Sequence, residues 1–245
     1  MKPDELKKSS QAEIRARFDQ DVERFSNLET GQQTTMDAPL TMELTTAAAF
    51  SLNPKAKAIL DIGCGAGNYT LTMLGKIPDL DCTLIDLSLP MLERARSRVG
   101  CQTSGRVEIV QGDILETSLP QQQFDVVLAA AVLHHLRLDA DWETVFRKIF
   151  LALKPGGSFW ISDLIVHDSA ALNTLFNKRY AAYLIELGGA DYQQKVFDYI
   201  EKEDTPRSIN FQLELMKRVG FTETEVLHKN GCFAAFGGVK PISMP

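Results

Sequence analysis

Cysteine is scarce in this chain of 245 residues, and the four present (Cys64, Cys82, Cys101, Cys232) are scattered, with no C-x-x-C and no histidine at ligand spacing. That pattern argues against a disulfide framework and against a zinc site, so no metal is expected. Long apolar runs are missing as well, and none approaches the roughly 20 residues of a membrane span. The N-terminal stretch MKPDELKKSSQAEIRARF is charged where a secretory leader needs an apolar segment. The expected setting is the reducing cytoplasm. An excess of positive charge is also lacking: 26 Lys and Arg stand against 32 Asp and Glu, a formal net charge of -6. Basic residues gather only in pairs such as Lys7-Lys8 and Lys217-Arg218. A broad nucleic-acid surface is therefore not indicated, although a local patch would still admit RNA. The expected partner is a small molecule, and a homodimer is left open. What remains is ordinary globular composition, in a chain long enough for one domain with a large core.

Residues 5–26 place Ile14, Phe18, Val22 and Phe25 on one stripe of a charged helix. Such a helix either docks on the domain or covers an active site, and residues 1–54 are read as an N-terminal helical cover. From 55 onward short apolar runs alternate with amphipathic stretches. KAILDIG (57–63), CTLIDLS (82–88), RVEIVQGD (106–113), FDVVLAAAV (124–132) and SFWISDL (158–164) read as strands. Helices are expected at 67–76, 90–99 and 142–153, the last stopped by Pro155-Gly156-Gly157. This alternation means βαβ units and a parallel α/β sheet. The tail differs. A helix over 206–219 ends at Gly220, and two strands, 222–229 and 232–239, flank Asn230-Gly231. A two-residue Asn-Gly loop predicts an antiparallel hairpin. Residues 165–205 are too long for a simple crossover and read as a helical lid insert in a domain spanning 55–245.

Asp61-Ile62-Gly63-Cys64-Gly65-Ala66-Gly67 lies where the first strand turns into its helix. Glycines there let the backbone pass close to a ligand. A dinucleotide fingerprint would need glycine at position 68, where this chain has Asn68. The acid two positions before Gly63 suits a ligand ammonium better than a phosphate, and S-adenosylmethionine (SAM) carries one. Asp86 ends the second strand, where a carboxylate can accept both ribose hydroxyl protons. Asp113 ends the third strand, placed to accept from the adenine amino group while the Ile114 N–H donates to a ring nitrogen.

At these residues the chain resembles the class I SAM-dependent methyltransferases, of the type 11/12 kind. ILDIGCGAG, LIDLS, GDI, FDVVLAAAVLHHL and LKPGGSFWISD are similar to that family's motifs in order and spacing, over about residues 57–164 plus the hairpin. The resemblance implies a Rossmann-like, seven-stranded, mostly parallel sheet with the last strand antiparallel and helices on both faces. It implies SAM across the first four strands, with S-adenosylhomocysteine as product. Beside Asp61, Gly63, Cys64, Gly65, Asn68, Asp86, Asp113 and Ile114, it places Leu87, Met91, Ala129 and Ala130 at the cofactor. The tail is also similar to the carboxy-SAM synthases that serve tRNA wobble-uridine modification, which makes such a SAM-modifying activity the alternative. Those enzymes carry arginine after a Gln-Lys pair, a tyrosine upstream of the sheet and a serine in the glycine motif. Here Val196 follows Gln194-Lys195, no tyrosine precedes Tyr69, and Gly65 holds the serine's place.

Methyl transfer needs a general base only when the acceptor must lose a proton. His134 and His135, after the fourth strand, either serve as base or acceptor contact or pack and cap the next turn. Asp163, ending the fifth strand, and Arg179, in the insert, are candidate acceptor-binding groups, the guanidinium being suited to a carboxylate or phosphate. The acceptor itself cannot be read from the residues.

Overall fold

The computed structural model describes residues 8–27 and 31–242. Five parallel strands carry the first half of the domain: β1 (Ala58–Ile62), β2 (Asp81–Asp86), β3 (Val107–Gln111), β4 (Phe124–Ala130) and β5 (Leu153–Leu164). The tail adds β6 (Thr222–Asn230) and β7 (Phe233–Val239). The described residues form one seven-stranded sheet of order β3-β2-β1-β4-β5-β7-β6. β7 is antiparallel to both β5 and β6, so it alone runs against the other six strands. The two-residue hairpin loop is Gly231-Cys232, one position later than the Asn230-Gly231 expected from the sequence: Asn230 stays in β6, paired with Phe233, and Gly231 takes φ +59°. Gly237 is needed for a different reason: a Cβ there would stand 2.4 Å from a ring carbon of Trp160 on the neighbouring strand.

The helices are α1 (Gln11–Phe18), α2 (Val22–Ser26), α3 (Ala38–Leu52), α4 (Asn68–Leu74), α5 (Leu89–Gly100), α6 (Asp139–Ala152), α7 (Ala170–Gly188), α8 (Ala190–Glu203) and α9 (Ile209–Val219). One sheet face, with Leu60, Val127, Phe159 and Ile161, packs on Trp142, Phe146, Ile149 and Phe150 of α6 and Leu215 and Met216 of α9. The other, with Ile59, Leu84, Val126, Leu128 and Trp160, packs on Ala49 of α3, Met73 of α4 and Leu92, Ala95 and Val99 of α5. β4 has no wet face, which is why its sequence is a continuous apolar run instead of an alternating one.

Three local differences from the sequence expectation have physical causes. Residues 5–26 are not one helix. Asp19-Gln20-Asp21 break it into α1 and α2, and residues 5–7 lie outside the described residues. Aspartate is a poor interior helix former, and the break lets Phe18 and Phe25 meet with ring centroids 5.8 Å apart. α3, read with the N-terminal cover, packs on the sheet face instead. Finally, β5 starts at Leu153, directly after α6, and Pro155-Gly156-Gly157 lie within the strand beside a bulge between Phe124 and Val126. Asp125 at that bulge accepts from the Lys57 and Ala58 N–H groups (2.8 and 2.9 Å) and from Lys154 Nζ (2.8 Å).

Helices α7 and α8 form the insert. Tyr180 and Leu184 are buried against Leu164, Cys232 and Phe233, with Val196 and Phe197 packed around them. The Tyr180 and Tyr183 hydroxyls donate to the backbone oxygens of Thr34 and Gln33 (2.9 and 2.7 Å). No helix among the described residues is long and apolar enough to cross a membrane.

Candidate functional site

Strand order reverses between β1 and β4, and a cavity opens at the carboxyl ends of the strands there. In an open α/β sheet the loops leaving the two strands diverge at such a point and leave a crevice. Asp61, Gly63, Cys64, Gly65 and Asn68 reach it from the end of β1 and its turn. Asp86, Leu87 and Met91 reach it from β2, Asp113 and Ile114 from β3, and Ala130 from β4. Ala129 does not: it is buried on the opposite side of β4, in the core with Leu60 and Phe159. Alternation along a strand sends neighbours to opposite faces, so Ala129 and Ala130 cannot both face the cavity. The residue that joins Ala130 there is Ala131, at φ +51° with its N–H donating to Ser162 O (2.9 Å). A non-glycine residue in that region is strained and is held there by its surroundings.

The glycine turn is tight for two distinct reasons. Gly63 has φ +65°, and a Cβ on it would sit 2.5 Å from Val132. Gly65 has φ +51° and nothing within 4 Å of its would-be Cβ, so its bare backbone leaves cavity space open. Asp61 is 1% exposed and accepts from Thr70 Oγ1 at 2.6 Å. Burial pushes its carboxyl from 3.8 up to about 7, with the nearby Asp86 charge adding to the shift and the Thr70 bonds opposing it. Asp86 accepts from Gly65 N and Ser88 N, each at 2.9 Å. Burial raises its carboxyl too, against the pull of those backbone N–H groups. Asp113 accepts from Leu115 N at 2.8 Å and from the side-chain amide of Gln11.

The other wall comes from the N-terminal segment. Ser9, Gln11, Ile14, Phe18, Phe25 and Gln32 all line the cavity. None of residues 165–205 does. The insert acts on the cover instead. Arg17 of α1 reaches Glu203 at the end of α8 (Nη2 to Oε2, 2.7 Å) and stacks over Tyr199, its guanidinium 4.2 Å from the ring centroid. Ser9 N donates to Lys202 O at 3.0 Å. Arg137 also lines the cavity, donating to Glu203 O, to Thr205 Oγ1 (3.2 Å) and to Ser9 O (3.3 Å).

The two histidines part company. His135 lines the cavity, 6.1 Å from the Phe18 ring. His134 points behind it, with Nδ1 against Asp163 Oδ1. Burial by itself depresses the His134 imidazole, but Asp163 and Asp204 outweigh it and lift the group to about 9. Burial and the charge on His134 hold His135 well below the ordinary range, hence neutral. Asp163 is fully engaged as well, accepting from Leu133 N (2.9 Å), His134 N (3.3 Å) and Leu164 N (2.7 Å). It is a positioning residue for the loop after β4, not an acceptor contact. Arg179 lies on the exposed side of α7, away from the cavity.

The architecture is a Rossmann-like α/β domain with a crevice at the β1/β4 reversal. Residues 59–157 match the family described as "Methyltransferase domain". The chain is 26% identical over 179 residues to a carboxy-S-adenosyl-L-methionine synthase from Nautilia profundicola, covering 73% of this chain and 75% of that protein. It is 36% identical over 105 residues to a malonyl-[acyl-carrier protein] O-methyltransferase from Priestia megaterium, covering 43% of this chain but only 36% of that protein. Among solved structures it is similar to a Burkholderia thailandensis 1,6-didemethyltoxoflavin-N1-methyltransferase, with TM-score 0.63 and 18% identity over 95% of this chain and 91% of that one. Of two longer solved methyltransferases it spans 57% of the length.

Proposed function

We propose that the chain binds SAM in this cavity and transfers its methyl group to a small-molecule acceptor. The observation that carries this reading is the convergence of Asp61, Asp86 and Asp113, from three successive strand ends, on one cavity floored by a glycine turn. Each acid fits a different part of the cofactor. Asp61, buried and lacking a cation, would hold the amino group. Asp86, fixed by Gly65 and Ser88, has remaining lone pairs for the ribose hydroxyls. Asp113 already accepts from the Gln11 amide, an N–H donor of the same kind as the adenine amino group. Leu87, Met91 and Ile114 would sandwich the base in apolar surface.

When bound, SAM supplies a methyl group already activated by its sulfonium charge. What the chain adds is alignment in a dry pocket. Ile14, Phe18, Phe25 and Val132 form the apolar part of that wall, and His135 and Arg137 the polar part. Of the histidine pair only His135 can touch an acceptor directly. Within the N-terminal segment α1 supplies the cover, and the end of α8 braces it. A small acceptor fits a cavity closed on this side, and the Burkholderia thailandensis enzyme of similar fold is named for one. A cytoplasmic setting agrees with cysteines that are free among the described residues.

Calorimetry tests the reading. SAM and S-adenosylhomocysteine should bind and NAD should not, and Asp86→Ala should weaken SAM binding by about 1.5–3 kcal/mol, the scale of hydrogen bonds to a charged group. Tight NAD binding with no response to SAM would refute the proposal.

A further inference from the structure

A second set of polar groups meets at the wall of the cavity, apart from the acids and glycines assigned to the cofactor. His134 Nε2 lies 3.6 Å, and His135 Nδ1 3.3 Å, from Asp204 Oδ1. The ligand atoms of these three residues all lie within 4.8 Å of one another. The side chains are 9%, 16% and 2% exposed for His134, His135 and Asp204. Asp204 Oδ1 and both ring nitrogens of His135 have no hydrogen-bond partner. A buried carboxylate oxygen and a buried imidazole left this way are costly unless something else satisfies them.

The spacing says what would. Charge-assisted hydrogen bonds run at about 2.7–2.9 Å, so both separations are long for direct pairing. They agree instead with the edges, roughly 3.3–3.6 Å, of a tetrahedron whose centre lies about 2.0–2.2 Å from each corner, the distance of zinc from His nitrogen and Asp oxygen. Asp163 completes the pattern. By holding Nδ1 of His134 it leaves Nε2 as the free donor, the way metal-ligating imidazoles are oriented by a carboxylate behind them. Asp163 and Asp204 also set two carboxylates against this imidazole pair. A divalent cation would take the place of the proton that these carboxylates hold on His134.

We propose that His134 Nε2, His135 Nδ1 and Asp204 Oδ1 form a site for a first-row divalent metal ion, with Asp163 as the positioning residue. The site joins adjacent residues of the loop after β4 to a residue 69 positions further on at the end of α8 (135 to 204), a spacing that no sequence motif marks. It runs against the sequence expectation of no metal. Two imidazoles and one carboxylate with an open position suit zinc, cobalt or ferrous iron. Because His135 lines the cavity, the open position takes an oxygen donor from that side, water or an acceptor hydroxyl. The acceptor rests on the methyl-transfer reading above; the ligand set does not.

The test is a Co2+ titration of the full chain, stripped with chelator and without SAM, followed by visible absorption and metal content. One ion per chain is expected, with the d–d bands of a low-coordinate nitrogen and oxygen site. Asp204→Asn and His135→Gln should each weaken Co2+ binding by roughly tenfold or more. His228→Gln, whose imidazole pairs with Asp37 elsewhere, should leave it unchanged. Calorimetry with SAM on the Asp204→Asn protein should show unchanged affinity, which separates failure of this site from failure of the cofactor reading. If His135→Gln does not fold, Asp204→Asn decides alone. Absence of Co2+ binding, or binding that ignores both substitutions, overturns the site and leaves a proton-shared cluster.

Discussion

Asp61 is an acid almost wholly buried at the cavity wall, next to a second acid and one threonine hydroxyl. Its folded value of about 7 is above the ordinary 3.8. In the ligand-free protein that raised value means stability is lost as pH climbs from about 4 to 7, because the folded chain must give up a proton it holds better than the unfolded chain. A cationic ligand reverses the sign locally, since it needs the ionised form. SAM affinity should therefore fall roughly tenfold between about pH 7.5 and pH 6, as the ionised fraction falls. In Asp61→Asn it should be weaker and nearly flat over that range. Calorimetry at several pH values reads both, and an unchanged slope in the variant would move the ammonium away from Asp61. The strand-end acids were legible in the sequence because βα repetition puts strand ends on one edge, whatever the loops do. Ala131 was not, since its φ of +51° is imposed by the Ser162 carbonyl across the sheet. Nor was the engagement of Asp163, whose partners lie about 30 residues away in the chain.

At the scale of elements, α1 is held over the cavity chiefly by the end of α8. Arg17 makes a two-pronged contact with Glu203 (3.2 and 2.7 Å), whose side chain is 7% exposed, while Arg17 keeps 31% of its own in water. Discounting for that exposure, Arg17→Ala should cost the closed cover about 1–2 kcal/mol. Hydrogen exchange checks this: amides of residues 11–18 should open more readily in the variant, and in the parent both α1 and the insert should open more readily than β1 and β4. Equal protection of α1 in both proteins would mean that the apolar contacts of Ile14 and Phe18 hold it alone. The amphipathic stripe of the N-terminal segment was visible in its sequence, but its break at Asp19-Gln20-Asp21 was not. The stripe records which residues are buried, and a two-helix path buries the same residues as a straight one. For the same reason the insert looked like a lid: its aromatics announce burial, and the structure buries them against Leu164 and Phe233 instead of over the crevice.

At the scale of the whole molecule, the proposed methyl transfer has to be told apart from carboxy-SAM formation. The Nautilia profundicola synthase is similar over most of both chains, so carboxy-SAM formation is the competing activity. Making that product needs a cation for the added carboxylate inside the pocket, where an unpaired charge is costly. Val196 packs among Leu164, Tyr180 and Phe197, away from the cavity. Arg137 does line the cavity, but its guanidinium is engaged with Glu203, Thr205 and Ser9. The purified protein given SAM and a carboxylate donor that can release CO2, such as prephenate, should therefore release no carboxy-SAM. Mass spectrometry decides it: a product heavier than SAM by one CO2 would show that a cation of the pocket serves the added carboxylate, and Arg137→Ala would then test whether it is Arg137.

The position of β7 has a consequence for how this chain is made. The strand between β5 and β6 is the last of the seven to leave the ribosome, and synthesis delivers the chain from its N-terminus. Until residues 233–239 emerge, β5 has an open edge and Trp160 lacks the Gly237 backbone that covers it. β6 meanwhile has no partner in the sheet. An exposed strand edge of this kind is a template for pairing with other chains. The nascent protein is thus most at risk of sticking to its neighbours just before the sheet closes, and the Gly231-Cys232 turn, by folding β7 back onto β6, shortens that interval.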